Sequence, residues 1–150
     1  MAEVADILTN VTKRLEETFG IPVIDKDIEE DIPRPAFVID ADEIKKDMFG
    51  LMEHIEFKLR IIYFAPSIYS GYAELYGVLD NLAAAFEGRI KINETFNYTL
   101  EEQEGTIYKA DMAVELSGKI DIVNPYVENE KDKENMLELD VQVKEKKEVI

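Results

Sequence analysis

Ile55-Glu56-Phe57-Lys58-Leu59-Arg60-Ile61-Ile62-Tyr63-Phe64 is the stretch on which the fold of this chain turns. Ile55, Phe57, Leu59, Ile61 and Tyr63 alternate with Glu56, Lys58, Arg60, Ile62 and Phe64. A period of two with one wholly apolar set is the pattern of a half-buried strand, and it extends over residues 52–65. At Ile62 and Phe64 the second set turns apolar as well, so this end is expected to be covered on both faces, by a helix or by another subunit. Pro66-Ser67 then breaks the strand, and Ser67 or Ser70 can cap a following helix. Tyr72, Leu75, Tyr76, Leu79, Leu82, Ala83 and Phe86 recur at spacings of three and four, which is one stripe of that helix, and Gly88 supplies its stop.

Working outward toward the N-terminus, residues 36–40 read as a strand and residues 21–25 as a shorter one. Between them runs an acidic loop, Lys26-Asp27-Ile28-Glu29-Glu30-Asp31-Ile32-Pro33-Arg34-Pro35. Its two prolines fix their own φ and push Ile32 and Arg34 away from helix, so its exit is expected to be extended and stiff. Residues 3–19 carry Val4, Ile7, Leu8, Val11, Leu15 and Phe19 on one stripe, an amphipathic helix. Gly20 stands where a left-handed residue ends a helix, and Pro22 prevents continuation.

Toward the C-terminus, residues 89–92 form a strand and residues 93–105 an acidic, irregular hairpin. A long last core strand is expected with Tyr108, Ala110, Met112, Val114, Leu116, Gly118, Ile120 and Ile122 on one face. Residues 128–135 contain no apolar side chain and read as a solvated linker. Beyond them Leu137, Leu139, Val141 and Val143 alternate with polar residues, a strand that either folds back onto its own sheet or adds to a neighbour's edge. The expected organisation is one α+β domain over residues 1–126, a charged linker over 127–135 and a C-terminal strand over 136–150. Two helices pack on a mainly antiparallel sheet, in the order α-β-β-β-α-β-β plus the C-terminal strand.

The length of 150 residues suits one domain, and 33 acidic against 17 basic residues give a net charge of −16. Such a balance argues against a basic patch that grips DNA or an anionic membrane. The chain has no cysteine and one histidine, His54, which excludes disulfides, thiolate chemistry and multi-histidine metal sites. The N-terminus is acidic where a signal peptide needs bases, and no apolar run approaches the ~20 residues that cross a bilayer. The expectation is a soluble protein made in the cytoplasm.

Sequence motifs give no chemistry to an enzyme. Asp25, Asp27 and Glu29 imitate the first ligands of a calcium loop, but Glu30 stands where the turn glycine is needed and Ala36 where the bidentate glutamate belongs. His54 lies on the polar face of its strand with no serine or threonine motif beside it. Glycine-rich phosphate loops and nucleophile elbows are absent from the sequence. Tyr63, Phe64, Tyr69, Tyr72 and Tyr76 lack the interleaved bases of a nucleotide-stacking platform, so core packing or a protein interface is the expected use. No catalytic residue, metal or cofactor is expected.

The segments Phe57-Lys58-Leu59-Arg60-Ile61-Ile62-Tyr63-Phe64-Ala65-Pro66 and Tyr72-Ala73-Glu74-Leu75-Tyr76-Gly77-Val78-Leu79 resemble the tail terminator, or tail-completion, proteins of long-tailed phages and phage-tail-like contractile particles. The opening helix with Ile7-Leu8 and Val11-Thr12-Lys13-Arg14-Leu15, followed by Phe19-Gly20-Ile21-Pro22-Val23, shares the likeness, which spans residues 3–123. The resemblance implies a small α/β fold that assembles as a hexameric ring without a cofactor. That ring sits on the head-proximal end of the tail tube, ends tube polymerisation and meets a head connector or cap, and in a contractile particle also the last sheath layer. It implies assembly in the host cytoplasm, residence in the particle, and DNA only as cargo passing through the channel.

On this reading, interface roles fall on the acidic-proline loop (Asp27, Glu29, Glu30, Asp31 and Arg34), on Ile62 and Phe64, on Phe96 and Tyr98 inside the acidic hairpin, and on Leu137, Leu139, Val141 and Val143. The rival readings are another head–tail connector or adaptor of the same machine, a monomeric acidic module that mimics DNA and inhibits a DNA-binding enzyme, and third a metal-dependent hydrolase, which the absence of histidine partners discourages.

Overall fold

The computed structural model describes residues 2–24, 33–69 and 71–125. In chain order these form α1 (Val4–Phe19), β1 (Ala36–Phe49), β2 (Met52–Phe64), α2 (Tyr72–Ala85), β3 (Arg89–Lys91), β4 (Asn97–Thr99), β5 (Glu101–Tyr108) and β6 (Ala113–Pro125). The alternating stretch is β2, an interior strand of a four-stranded antiparallel sheet ordered β1-β2-β6-β5. β3 and β4 make a separate two-stranded ribbon. The architecture is α+β, two helices on a mainly antiparallel sheet, as expected.

Both helices lie on one face of the sheet. Ile55, Phe57, Leu59, Ile61 and Tyr63 of β2 share a core with Ile7, Val11 and Leu15 of α1 and with Leu75 and Leu82 of α2. Each of these buried aliphatic side chains contributes about 2 kcal/mol of transfer free energy. Rings of Phe19, Phe37 and Tyr63 pack in sequence, with centroids 5.1 and 5.3 Å apart. Arg14 joins the helices by donating from Nε to the Ala85 carbonyl at 2.6 Å. At the other end of α1, the buried amide of Asn124 accepts from Ala2 N and donates to Ala2 O, at 3.2 and 2.7 Å, which ties the helix N-terminus to β6. Gly20 adopts the left-handed conformation (φ 66°), and its N–H closes the helix on Glu16 O.

Several strands depart from the local reading. Residues 21–24 supply only one parallel bridge, Val23 to Phe37, in place of a full strand. β1 runs nine residues beyond the expected end at Asp40, to Phe49. Its far half is exposed and polar, so its own composition does not call for a strand. Pairing with β2 through the two-residue turn Gly50-Leu51 holds it, from Lys45 opposite Glu56 to Phe49 opposite Met52. The acidic stretch 93–105 holds β4 and the start of β5, whose ladder to β6 satisfies the backbone whatever the side chains are. The expected long last strand divides at residues 109–112, where Met112 takes a positive φ of 47°; Tyr108 ends β5 and β6 begins at Ala113. Ser67 does not cap α2: its Oγ accepts from Tyr69 N at 3.1 Å, and the N-cap is Gly71.

Burial of two phenols makes stability sensitive to alkali. Tyr98 is pushed up to about 12 by burial, and Tyr63 to about 12 by burial reinforced by the Glu74 carboxylate. A phenol whose folded pKa lies above its unfolded value of about 10 stabilises the fold fully below pH 10 and loses that contribution as pH rises toward 12. Urea titrations are expected to show near-constant stability from pH 8 to 9.5, then a fall of on the order of 1–2 kcal/mol per phenol by pH 12. Tyr98→Phe should remove part of that fall while giving up the bond from Tyr98 Oη to Asn10 Oδ1 at 2.8 Å. An unchanged alkaline limb in the variant would contradict the assignment.

Candidate functional site

With both helices on one face, the other face of the sheet is uncovered among the described residues, and its side chains organise as a charge mesh. Arg60 donates twice to one oxygen, Glu115 Oε1, from Nε at 2.8 Å and from Nη2 at 2.6 Å, a charge-assisted pair. Glu115 is buried at 5% exposure and also accepts from Tyr108 Oη. The bond to Glu115 raises the Arg60 pKa further. Lys119 Nζ lies 3.1 Å from Glu56 and 4.0 Å from Asp121, and its pKa is raised, chiefly by the Glu56 hydrogen bond. Acid and base therefore interleave across this surface, which is not the unbroken carboxylate array that imitation of a DNA backbone would need.

His54 Nε2 contacts Asp121 Oδ1, so this histidine does have an orienting carboxylate, which only the β2–β6 register reveals. Ligand atoms of His54, Glu56 and Asp121 lie within 4.8 Å of one another. The Lys119 ammonium already stands among these carboxylates, where a metal cation would have to sit. The group is an ion-pair cluster that locks β2 to β6.

Ile62 and Phe64 are buried with Val38 and Ala113 in a second, smaller cluster on this face. No helix among the described residues covers them. Arg34 stacks 5.3 Å from the Phe64 ring centroid and is held by bonds to the carbonyls of Ala65 (3.1 Å) and Asp111 (2.8 Å). Arg34 is thus a lid on its own subunit's apolar cluster. Beside it Arg60, Ile62, Phe64, Tyr108, Asp111 and Ala113 line an open pocket of about 210 Å³.

Tyr98, expected as a partner-facing anchor, is buried in its own core, and Phe96 packs half-buried against that core. The acidic sequence around Tyr98 hid this, because its burial depends on α1 folding over β4. Asp27, Glu29, Glu30 and Asp31, the calcium-like triplet with Asp25, and Leu137, Leu139, Val141 and Val143 lie outside the described residues, as does the 127–135 linker.

The structure reveals two exposed apolar areas that the pattern of the sequence did not single out as a pair. One is the tip of the β1–β2 hairpin, where Ile44, Met48, Phe49, Leu51 and Met52 are exposed, with Val123 of β6 beside them; Leu51 is 76% exposed. The other follows β2 at its opposite end and comprises Ile68, Tyr69, Tyr72 and Tyr76, with Tyr69 90% exposed. Lys109 Nζ lies 5.4 Å from the Tyr72 ring centroid. Large apolar side chains gathered at this exposure mark surfaces that are covered by partners. No helix among the described residues is long and apolar enough to cross a membrane.

A family model described as phage tail terminator protein matches residues 6–134 of this chain. A search of curated proteins gives no match.

Proposed function

The chain belongs to the phage tail terminator family, and on that premise we propose that it closes into a hexameric ring on the head-proximal end of a tail tube. The ring ends tube polymerisation and presents a surface to the head connector or a cap, and to the last sheath layer where the tail contracts. Family membership makes the chain a structural component of a phage tail, associated with the virion. Its assembly into that particle takes place in the host cytoplasm.

The observation that carries this reading is the exposed apolar hairpin tip. A chain with a net charge of −16 keeps large apolar side chains in water at one end, and a monomer has no use for them. Six copies at −16 each bring about −96 formal charges to the ring, and the part facing the channel repels passing DNA from the wall. The acidic-proline loop with Asp27, Glu29, Glu30 and Asp31 serves to dock on the tube. Leu137, Leu139, Val141 and Val143 serve as a strand for a neighbour's sheet edge.

Deleting the gene and imaging tails by electron microscopy tests the function. The expected result is tubes of irregular, extended length, and restoration of a ring at one end when the gene is supplied. Tubes of normal length, with no density for the protein at either end, would refute it.

A further inference from the structure

The two exposed apolar areas sit at opposite ends of β2, a strand of 13 residues that spans roughly 40 Å at about 3.3 Å per residue. The register places them: Met52 pairs with Pro125 at one end and Phe64 with Ala113 at the other. Lys109 over Tyr72 puts the tyrosine area beside the β5–β6 turn at that second end. We propose that the hairpin tip of one copy docks on the Ile68, Tyr69, Tyr72 and Tyr76 surface of the next copy, head to tail; this rests on the ring reading above and names its contact.

Three observations select this occupant. First, the chemistry is complementary. Residues 44–52 carry Lys45 and Lys46 against a single acid, Asp47, whereas residues 61–88 carry Glu74, Asp80 and Glu87, with Lys109 of the β5–β6 turn as the base beside them. Tyrosine faces also attract ammonium groups, and Tyr72 already holds Lys109 in that way.

Second, the symmetry fits. Tip against tip would make a twofold pair, leave the tyrosines bare and bring two sets of Lys45 and Lys46 together. Tip against tyrosine surface joins different patches, and such a contact repeats from copy to copy and closes a ring when the rotation between copies divides the circle. Third, Phe49, Leu51, Met52 and Val123 are exposed together at the tip and give the contact an apolar centre of the kind that anchors specific interfaces.

The chain has no cysteine, so placed thiols report contacts without background. Leu51→Cys and Tyr72→Cys are introduced singly and together, with Tyr69→Cys as an alternative to Tyr72→Cys, in tail particles assembled with the variant chain. A short bismaleimide is then added. The expected result is a ladder of covalent oligomers from the double variants, ending at the subunit number of the ring, and no ladder from any single variant. Dimers from Leu51→Cys alone would overturn the head-to-tail contact in favour of tip against tip. A ring visible at the tube end without any ladder would overturn the contact and leave the ring standing. Tube ends without a ring would overturn both.

Discussion

Gly118→Val is expected to be the most destabilising single substitution at a glycine of this protein, at about 3 kcal/mol or more. Gly118 lies in β6 on the core face, opposite Leu59. A Cβ built there would stand 2.6 Å from Leu100 Cδ1 and 2.8 Å from the carbonyl oxygen of Glu101. The first contact could be relieved by moving a side chain. The second is backbone, held where β5 joins β6 across the irregular register between Glu101 and Glu104, so relief means displacing β5. Leu100 is buried because it folds over the space that Gly118 leaves.

Gly77→Ala is the matched control. It adds a Cβ within α2 where nothing lies within 4 Å. It should stabilise by about 0.5–1 kcal/mol by lowering unfolded-state entropy. Thermal melts would show Gly118→Val down by on the order of 10 °C and Gly77→Ala slightly up. Equal, small effects at the two sites would disprove the close approach.

The second large effect separates assembly from folding. Phe49→Glu with Leu51→Glu places two charges on the hairpin tip, where both native side chains are largely exposed. Nothing buried changes, so stability should stay within about 0.5 kcal/mol of the parent. Assembly should be lost. Truncated or charged hot-spot residues each cost about 2 kcal/mol or more, and a ring repeats the defect at every contact. Circular dichroism and urea titration check the fold, and tail length by electron microscopy checks the function. Normal tails in the presence of this variant would remove the tip from the assembly interface, while a shifted melting transition would show that the tip has a structural role in the monomer.

Much of the architecture was legible in local patterns. The period of two in β2 and the stripes of α1 and α2 predicted the elements whose side chains decide their own burial. Ile7, Val11 and Leu15 face the core because a helix with that stripe has one apolar side to hide. Family resemblance was legible in the same segments, and the match over residues 6–134 includes them. β5 and the far half of β1 were not legible, since their polar residues lie on exposed strands and the backbone is held by a neighbour's ladder. Tyr98 and Tyr72 have the same side chain and met opposite fates. One is enclosed by α1 across 88 positions of sequence, and the other faces water on the outer side of α2.

Local pattern was enough to specify the helices, the central strand, the acidic character and the family, because periodicity and composition are properties of neighbouring residues. The packed fold was needed to show that Arg34 covers Phe64, that Lys119 stands among the carboxylates beside His54, and that Gly118 must lack a side chain. It was also needed to show that two apolar surfaces stand at opposite ends of one strand. Each of these depends on which segments the sheet brings together, and pairing between distant strands is set by the free energy of the whole packed core rather than by any one stretch of chain.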